Sequence, residues 1–117
     1  MPDGHHPVVP LELDVQDAKQ VLAENPDDVL LLDCRNPNEF EFVHIEGARL
    51  IPMDEIQARV RDIDEYRRRR IIVCCHLGGR SLHVANWLRQ QGFPQAQSMA
   101  GGVDAWAEQI DASLSRY

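Results

Sequence analysis

The chain has 117 residues, which suits one compact domain and is too short for two ordinary ones. Hydrophobic residues make up 44% of it and charged residues 26%, a balance that can build a globular core. Acidic residues outnumber basic ones by 19 to 12, so the net charge is -7 and a nucleic-acid partner is disfavoured. A small anionic substrate is still compatible, because a local positive site can exist on an acidic protein.

The sequence also contains features that indicate the cellular compartment of the protein. No apolar run approaches the roughly 18 residues of a membrane span, and the first residues lack the charged and apolar regions of a signal peptide. Three cysteines are present, and Cys74 and Cys75 are adjacent, which disfavours a disulfide framework. We therefore expect a cytoplasmic protein with a flexible tail over residues 1–10 and a single domain over residues 11–117.

Short apolar runs alternate with amphipathic segments along the whole chain. The runs predict strands over residues 11–13, 29–32, 49–51, 71–74 and 96–99. Apolar residues at helical spacing predict helices between them, with stripes that begin at Val15, Ile56, Leu82 and Val103. This alternation predicts an α/β fold, a three-layer sandwich whose central, mostly parallel five-stranded sheet is flanked by helices.

One predicted strand-to-helix connection carries the residues best suited to chemistry. Cys75 follows the strand over residues 71–74, and Gly78, Gly79 and Arg80 lead into the next helix. Ligands of such sheets bind at the carboxyl ends of the strands, where a helix N-terminus adds free N–H groups and a positive dipole end. The glycines let successive N–H groups point inward, and this field favours the reactive thiolate. A lone cysteine is usually a small buried hydrophobe, but this combination indicates a nucleophile.

These residues resemble a known family. The run Cys75-His76-Leu77-Gly78-Gly79-Arg80-Ser81 is similar to the active-site loop of the rhodanese family of single-domain sulfurtransferases, Cys-x-x-Gly-x-Arg-Ser. The segment from Leu32 to Ala48 is similar to the family's upstream Asp-x-Arg…Glu-Phe…His-Ile-x-Gly-Ala pattern. The segment from Ala100 to Trp106 is similar to its downstream Gly-Gly-hydrophobic…Trp signature. The resemblance extends from about Leu13 to about Ile110.

The resemblance implies a rhodanese-like fold and a sulfurtransferase activity. Cys75 would take a sulfane sulfur from thiosulfate or a persulfide, hold it as a persulfide and pass it to a thiol or cyanide, with a sulfur-acceptor protein as a further partner. No cofactor and no metal would be needed. Asp33 and Arg35 would support the site. The residues that would bind substrate are His76, Leu77, Gly78, Gly79, Arg80 and Ser81.

Two other functions stay open at this point. Counting from Cys74 gives Cys-x5-Arg-Ser, the longer loop of phosphatases and arsenate reductases that share the rhodanese fold. That register places Leu77 where both patterns have glycine, and Val73 where a phosphatase commonly has histidine, so we favour Cys75. The third possibility is a non-catalytic rhodanese-like binding module, although such modules typically lose the cysteine that this chain keeps. The physiological donor and acceptor, the pathway and the oligomeric state are not predictable from the sequence.

Overall fold

The computed structural model describes residues 9–117, so the predicted tail over residues 1–10 lies largely outside the described part and stays a prediction. Five strands form one sheet in the order β1-β5-β4-β2-β3, and every neighbouring pair is parallel. The five-stranded α/β prediction is therefore confirmed, with a sheet that is parallel throughout. The strands are Glu12–Leu13 (β1), Val29–Asp33 (β2), Arg49–Leu50 (β3), Arg70–Cys74 (β4) and Ala96–Met99 (β5).

The helices differ from the sequence prediction in two places. The stripe from Ile56 to Ile63 is not one helix, because only its first four residues are α-helical and a kinked 3-10 segment, Val60–Tyr66, follows. A short helix, α2, was not predicted from the sequence, because it buries no residue and so lacks an apolar stripe. None of the helices in residues 9–117 is long and apolar enough to cross a bilayer. The α-helices are Val15–Glu24 (α1), Pro37–Phe42 (α2), Ile56–Arg59 (α3), Gly79–Gln90 (α4) and Gly102–Gln109 (α5).

The sheet separates two hydrophobic cores, because successive side chains of a strand point to opposite faces. One core lies between the sheet and helices α3 and α4, and it contains Val73 and Cys75. The other lies between the sheet and helices α1 and α5, and it contains Ile72 and Cys74. The two adjacent cysteines therefore belong to different cores.

The N-terminus of α5 fixes the connection that follows β4. The Val103 N–H donates to the Cys75 carbonyl at 2.8 Å, and the Asp104 N–H donates to the His76 carbonyl at 3.1 Å. Gly102 permits this approach: its φ is +60°, and a Cβ there would overlap both carbonyl oxygens. The downstream Gly-Gly pair thus has a physical reason, which is the close approach of α5 to the loop.

We predict that Gly102→Ala destabilises the protein by at least about 2 kcal/mol, because it combines a strained φ with backbone overlap. Gly47→Ala is the matched control, since its φ is +88° but a Cβ there meets nothing within 4 Å. The control should cost about 1 kcal/mol, the strain alone. Urea unfolding of both variants measures the difference, and equal losses would contradict the proposed contact.

Candidate active site

The Cys75 thiol lies at the carboxyl end of β4 and accepts hydrogen bonds from the first turn of α4. The N–H groups of Gly78 and Ser81 donate to its Sγ at 3.1 and 3.3 Å. The Ser81 Oγ lies 3.3 Å from the same sulfur and 2.7 Å from the Oγ of Ser98, a buried residue of β5. Two amide dipoles and the positive end of a 12-residue helix therefore favour negative charge on this sulfur.

Gly78 gives the loop its curvature. Its φ is +115°, and it caps α4 in a left-handed conformation that other residues rarely adopt. A Cβ at this position would lie 3.2 Å from the backbone nitrogen of Gly101, so space as well as conformation favours glycine. Gly79 opens the helix and has no such constraint, because nothing lies within 4 Å of the equivalent point.

Cys74 has none of these surroundings. It ends β4, is fully buried and packs against the core beneath α1 and α5, on the face opposite Cys75. Burial, followed by the nearby Asp33, raises the pKa of the Cys74 thiol well above its usual range. The structure therefore places the carboxyl end of a strand at Cys74 and the start of the loop at Cys75, as the strand pattern predicted.

The Arg80 guanidinium is paired rather than free. Its two terminal nitrogens donate to the two carboxylate oxygens of Glu39 in α2, at 2.7 and 2.9 Å. These bonds, opposed by partial burial, lower the pKa of the Glu39 carboxyl to about 2. Glu39 therefore offsets the charge of Arg80, and the pair ties the loop to α2.

Asp33 and Arg35 form a buried ion pair at the end of β2, the strand next to β4 in the sheet. The Arg35 side chain donates to both carboxylate oxygens of Asp33, with a shortest contact of 2.7 Å, and also to the Val43 carbonyl at 2.7 Å. Neither side chain is exposed. Their position supports the neighbouring strand ends and offers no polar atom to solvent.

The side chains of Leu77 and His76 make no hydrogen bond to the sulfur. Leu77 is 64% exposed, so it lies on the surface beside the loop. The His76 ring stacks on Tyr117, with ring centres 3.9 Å apart, and its Nε2 is buried without a hydrogen-bond partner in residues 9–117. The whole of Cys75 is only 1% exposed, so a reagent reaches its sulfur only when neighbouring side chains move.

Tyr117 and Ser98 are the contacts that the sequence analysis missed. The Tyr117 hydroxyl accepts a hydrogen bond from Arg35 at 2.7 Å and donates one to Glu39 at 2.9 Å. It thereby joins the buried Asp33–Arg35 pair to the Glu39–Arg80 pair. Tyr117 lies far from the site along the chain, so no local pattern predicted it, whereas a serine inside a predicted strand was a usable signal for Ser98.

We predict that Glu39→Gln destabilises the protein by about 1–2 kcal/mol at neutral pH, because the charged half of a bidentate pair is lost. A folded-state pKa below the unfolded value stabilises the protein above about pH 4.3, and this contribution disappears as the pH falls through about 2. Urea unfolding across that range should show the wild type converging on the variant. Glu41→Gln, on the exposed side of α2, is the control, and the same convergence there would contradict the assignment.

We predict that Tyr117→Phe costs about 1–2 kcal/mol of stability, since the buried Arg35 loses a hydrogen-bond acceptor while the ring keeps its stack on His76. Tyr117→Ala should cost about 1 kcal/mol more, the contribution of the stack. Chemical denaturation of both variants separates the two contributions. A Phe variant as stable as the wild type would show that the hydroxyl contacts contribute nothing.

Comparison with known proteins identifies the family that the chain resembles. A family model described as "Rhodanese-like domain" matches residues 14–109. A sulfurtransferase of Allochromatium vinosum is 35% identical over 96 residues, which cover 82% of this chain and 87% of that protein. A chloroplastic rhodanese-like/PpiC domain-containing protein of Arabidopsis thaliana is 34% identical over 93 residues and 78% of this chain, but the chain spans only 31% of its length.

Solved structures show the same fold. A rhodanese-like domain protein of Staphylococcus aureus superposes with a TM-score of 0.74 at 27% identity, covering 91% of this chain and 97% of that one. A human single-domain sulfurtransferase superposes with a TM-score of 0.73 at 21% identity, covering 86% and 98%. With a family model that spans most of the chain, this protein belongs to the rhodanese-like family.

Proposed function

We propose that the protein is a sulfurtransferase that carries a sulfane sulfur as a persulfide on Cys75. The observation that supports this best is the pair of N–H groups, from Gly78 and Ser81, that converge on the Cys75 Sγ at the head of α4. Donors placed in this way stabilise a sulfur anion before the reaction begins, so little reorganisation is needed. The similarity to a named sulfurtransferase supports the same activity.

In the first half of the cycle, the Cys75 thiolate attacks the outer sulfur of a donor such as thiosulfate. A new S–S bond forms at Cys75 as the donor's S–S bond breaks, and sulfite leaves with the electron pair. No proton is transferred, because the nucleophile enters as a thiolate. The product is a persulfide whose negative charge lies on the outer sulfur.

The loop has further N–H groups for that outer sulfur. The carbonyls of Cys75 and His76 face the N-terminus of α5, and a planar trans peptide points its N–H in the opposite direction. The N–H groups of His76 and Leu77 therefore point away from α5, and neither has an acceptor within residues 9–117. We assign them to the outer sulfur of the persulfide.

In the second half, an acceptor thiolate or cyanide attacks the outer sulfur, and the Cys75 thiolate is regenerated as leaving group. The exposed Leu77 and the stacked His76 border the loop, so we assign them contacts with the donor and acceptor. Arg80 acts through Glu39 as a positioning residue that holds the loop. Three unpaired buried thiols fit the reducing cytoplasm that we assign to the protein.

The phosphatase or arsenate reductase alternative requires Cys74 as the nucleophile. Its sulfur packs in the core on the opposite face from the loop, and burial favours its neutral thiol. The geometry thus favours the six-residue loop that begins at Cys75 over the longer one.

We predict that incubation with thiosulfate adds one sulfur atom to the protein and that Cys75→Ser abolishes this addition. Cys74→Ala is the matched control, because it removes the adjacent thiol from the other face of the sheet and should leave loading intact. Intact-protein mass spectrometry, followed by peptide mapping, measures both results.

Three outcomes would contradict the proposal. Loading that survives Cys75→Ser would place the sulfur elsewhere. Hydrolysis of an aryl phosphate that survives Cys75→Ser and fails in Cys74→Ala would establish the alternative register. Tight binding of a protein partner without sulfur uptake from thiosulfate or from a persulfide donor would indicate a binding module.

A further inference from the structure

Cys34 is a second thiol beside the loop that the proposed transfer does not use. It follows the last residue of β2, and its N–H donates to the Cys74 carbonyl at 3.0 Å. That bond continues the parallel pairing of β2 with β4 one residue beyond the Asp33–Cys74 pair. Cys34 therefore lies directly opposite Cys75 on the neighbouring strand.

The two side chains also share a face of the sheet. Cys34 and Cys75 belong to the same hydrophobic core, beneath α3 and α4, while Cys74 belongs to the other one. Adjacent strands lie about 4.8 Å apart, and a disulfide needs its two Cα atoms roughly 4.4–6.8 Å apart. Of the three cysteines, Cys34 and Cys75 are thus the pair that register and face bring together for a disulfide.

The environment of Cys34 sets how fast it can react. Burial, with the nearby charges of Cys75 and Asp33, raises the pKa of the Cys34 thiol above its usual range. At neutral pH it is therefore protonated and a slow nucleophile. A persulfide on Cys75 has time to meet an external acceptor before Cys34 attacks it.

We propose that Cys34 is a resolving thiol that discharges the Cys75 persulfide as sulfide when no acceptor arrives. This inference rests on the proposed function, because the persulfide is its substrate. The Cys34 sulfur attacks the Cys75 Sγ, a Cys34–Cys75 bond forms, and the bond from Cys75 to the outer sulfur breaks. The outer sulfur leaves with the electron pair and takes up the Cys34 proton, which gives hydrosulfide.

The electrons balance within the protein. The sulfane sulfur is reduced to sulfide, and the two cysteine thiols are oxidised to one disulfide. A dithiol reductant then restores both thiols by thiol–disulfide exchange. With a dithiol present, the same site therefore converts thiosulfate into sulfite and sulfide, whereas a single acceptor thiol would receive a persulfide.

The test loads the protein with thiosulfate, removes the excess and follows the mass and the released sulfide without an acceptor. The wild type should lose the outer sulfur, release sulfide and finish two hydrogens lighter than the reduced protein, with a Cys34–Cys75 cross-link in its peptide map. Cys34→Ala should load equally and keep its persulfide, with Cys34→Ser as a second variant if the first fails to fold. Cys74→Ala should behave like the wild type.

A wild-type persulfide that lasts as long as that of Cys34→Ala would overturn the inference and leave the sulfurtransferase proposal standing. Failure of every variant to load would overturn the sulfurtransferase proposal first.

A second measurement does not depend on sulfur loading. Diamide, a thiol oxidant, should produce the Cys34–Cys75 cross-link in the wild type and in Cys74→Ala. A cross-link from Cys34 to Cys74, or none at all, would overturn the pairing of the two thiols.

Discussion

The site depends on how the peptide groups of one short loop are divided between two helices. The carbonyls of Cys75 and His76 are held by the N-terminus of α5, and the Cys75 sulfur is held by N–H groups in the first turn of α4. Because the peptide unit is planar, fixing the carbonyls on one side fixes the N–H groups on the other. The loop therefore keeps the N–H groups of His76 and Leu77 on the side away from α5.

A chain of ion pairs and hydrogen bonds anchors this loop to the rest of the domain. Arg80 binds Glu39, Glu39 accepts a hydrogen bond from Tyr117, and Tyr117 accepts one from Arg35, which is paired with Asp33. At the buried end of this network, Asp33 and Arg35 pair with each other out of contact with water. The exposed end lies beside the loop.

The sequence predicted the parts of this arrangement that depend on local pattern. Continuous apolar runs indicated buried strands, and the position of the glycine in the loop pattern favoured Cys75 over Cys74 as the first residue of the loop. The glycine at position 78 was expected where the backbone turns, and its φ of +115° shows why. Five strands and their order of appearance followed from the same patterns.

Other parts of the structure could not be predicted from the sequence, because they depend on contacts between residues far apart in the chain or lack a distinctive apolar pattern. Arg80 pairs with Glu39, which lies 41 residues away in the sequence, and Arg35 bonds to Tyr117, which lies 82 residues away. No local sequence pattern connects either pair. Helix α2 carries a capping box but buries nothing, so periodicity could not reveal it. The 3-10 segment after α3 has an apolar residue, Ile63, at helical spacing from Ile56, so the sequence pattern predicted a continuous α-helix there.

The placement of the adjacent cysteines on opposite sides of the sheet has a consequence for reagents that bridge neighbouring thiols. A trivalent arsenical must bind two sulfur atoms at once, and Cys74 and Cys75 turn theirs toward separate cores. The native fold thus shields this pair from chelation. Only when the strand frays do these two sulfurs come within reach of one arsenic atom, whereas Cys34 shares the core of Cys75 in the folded protein.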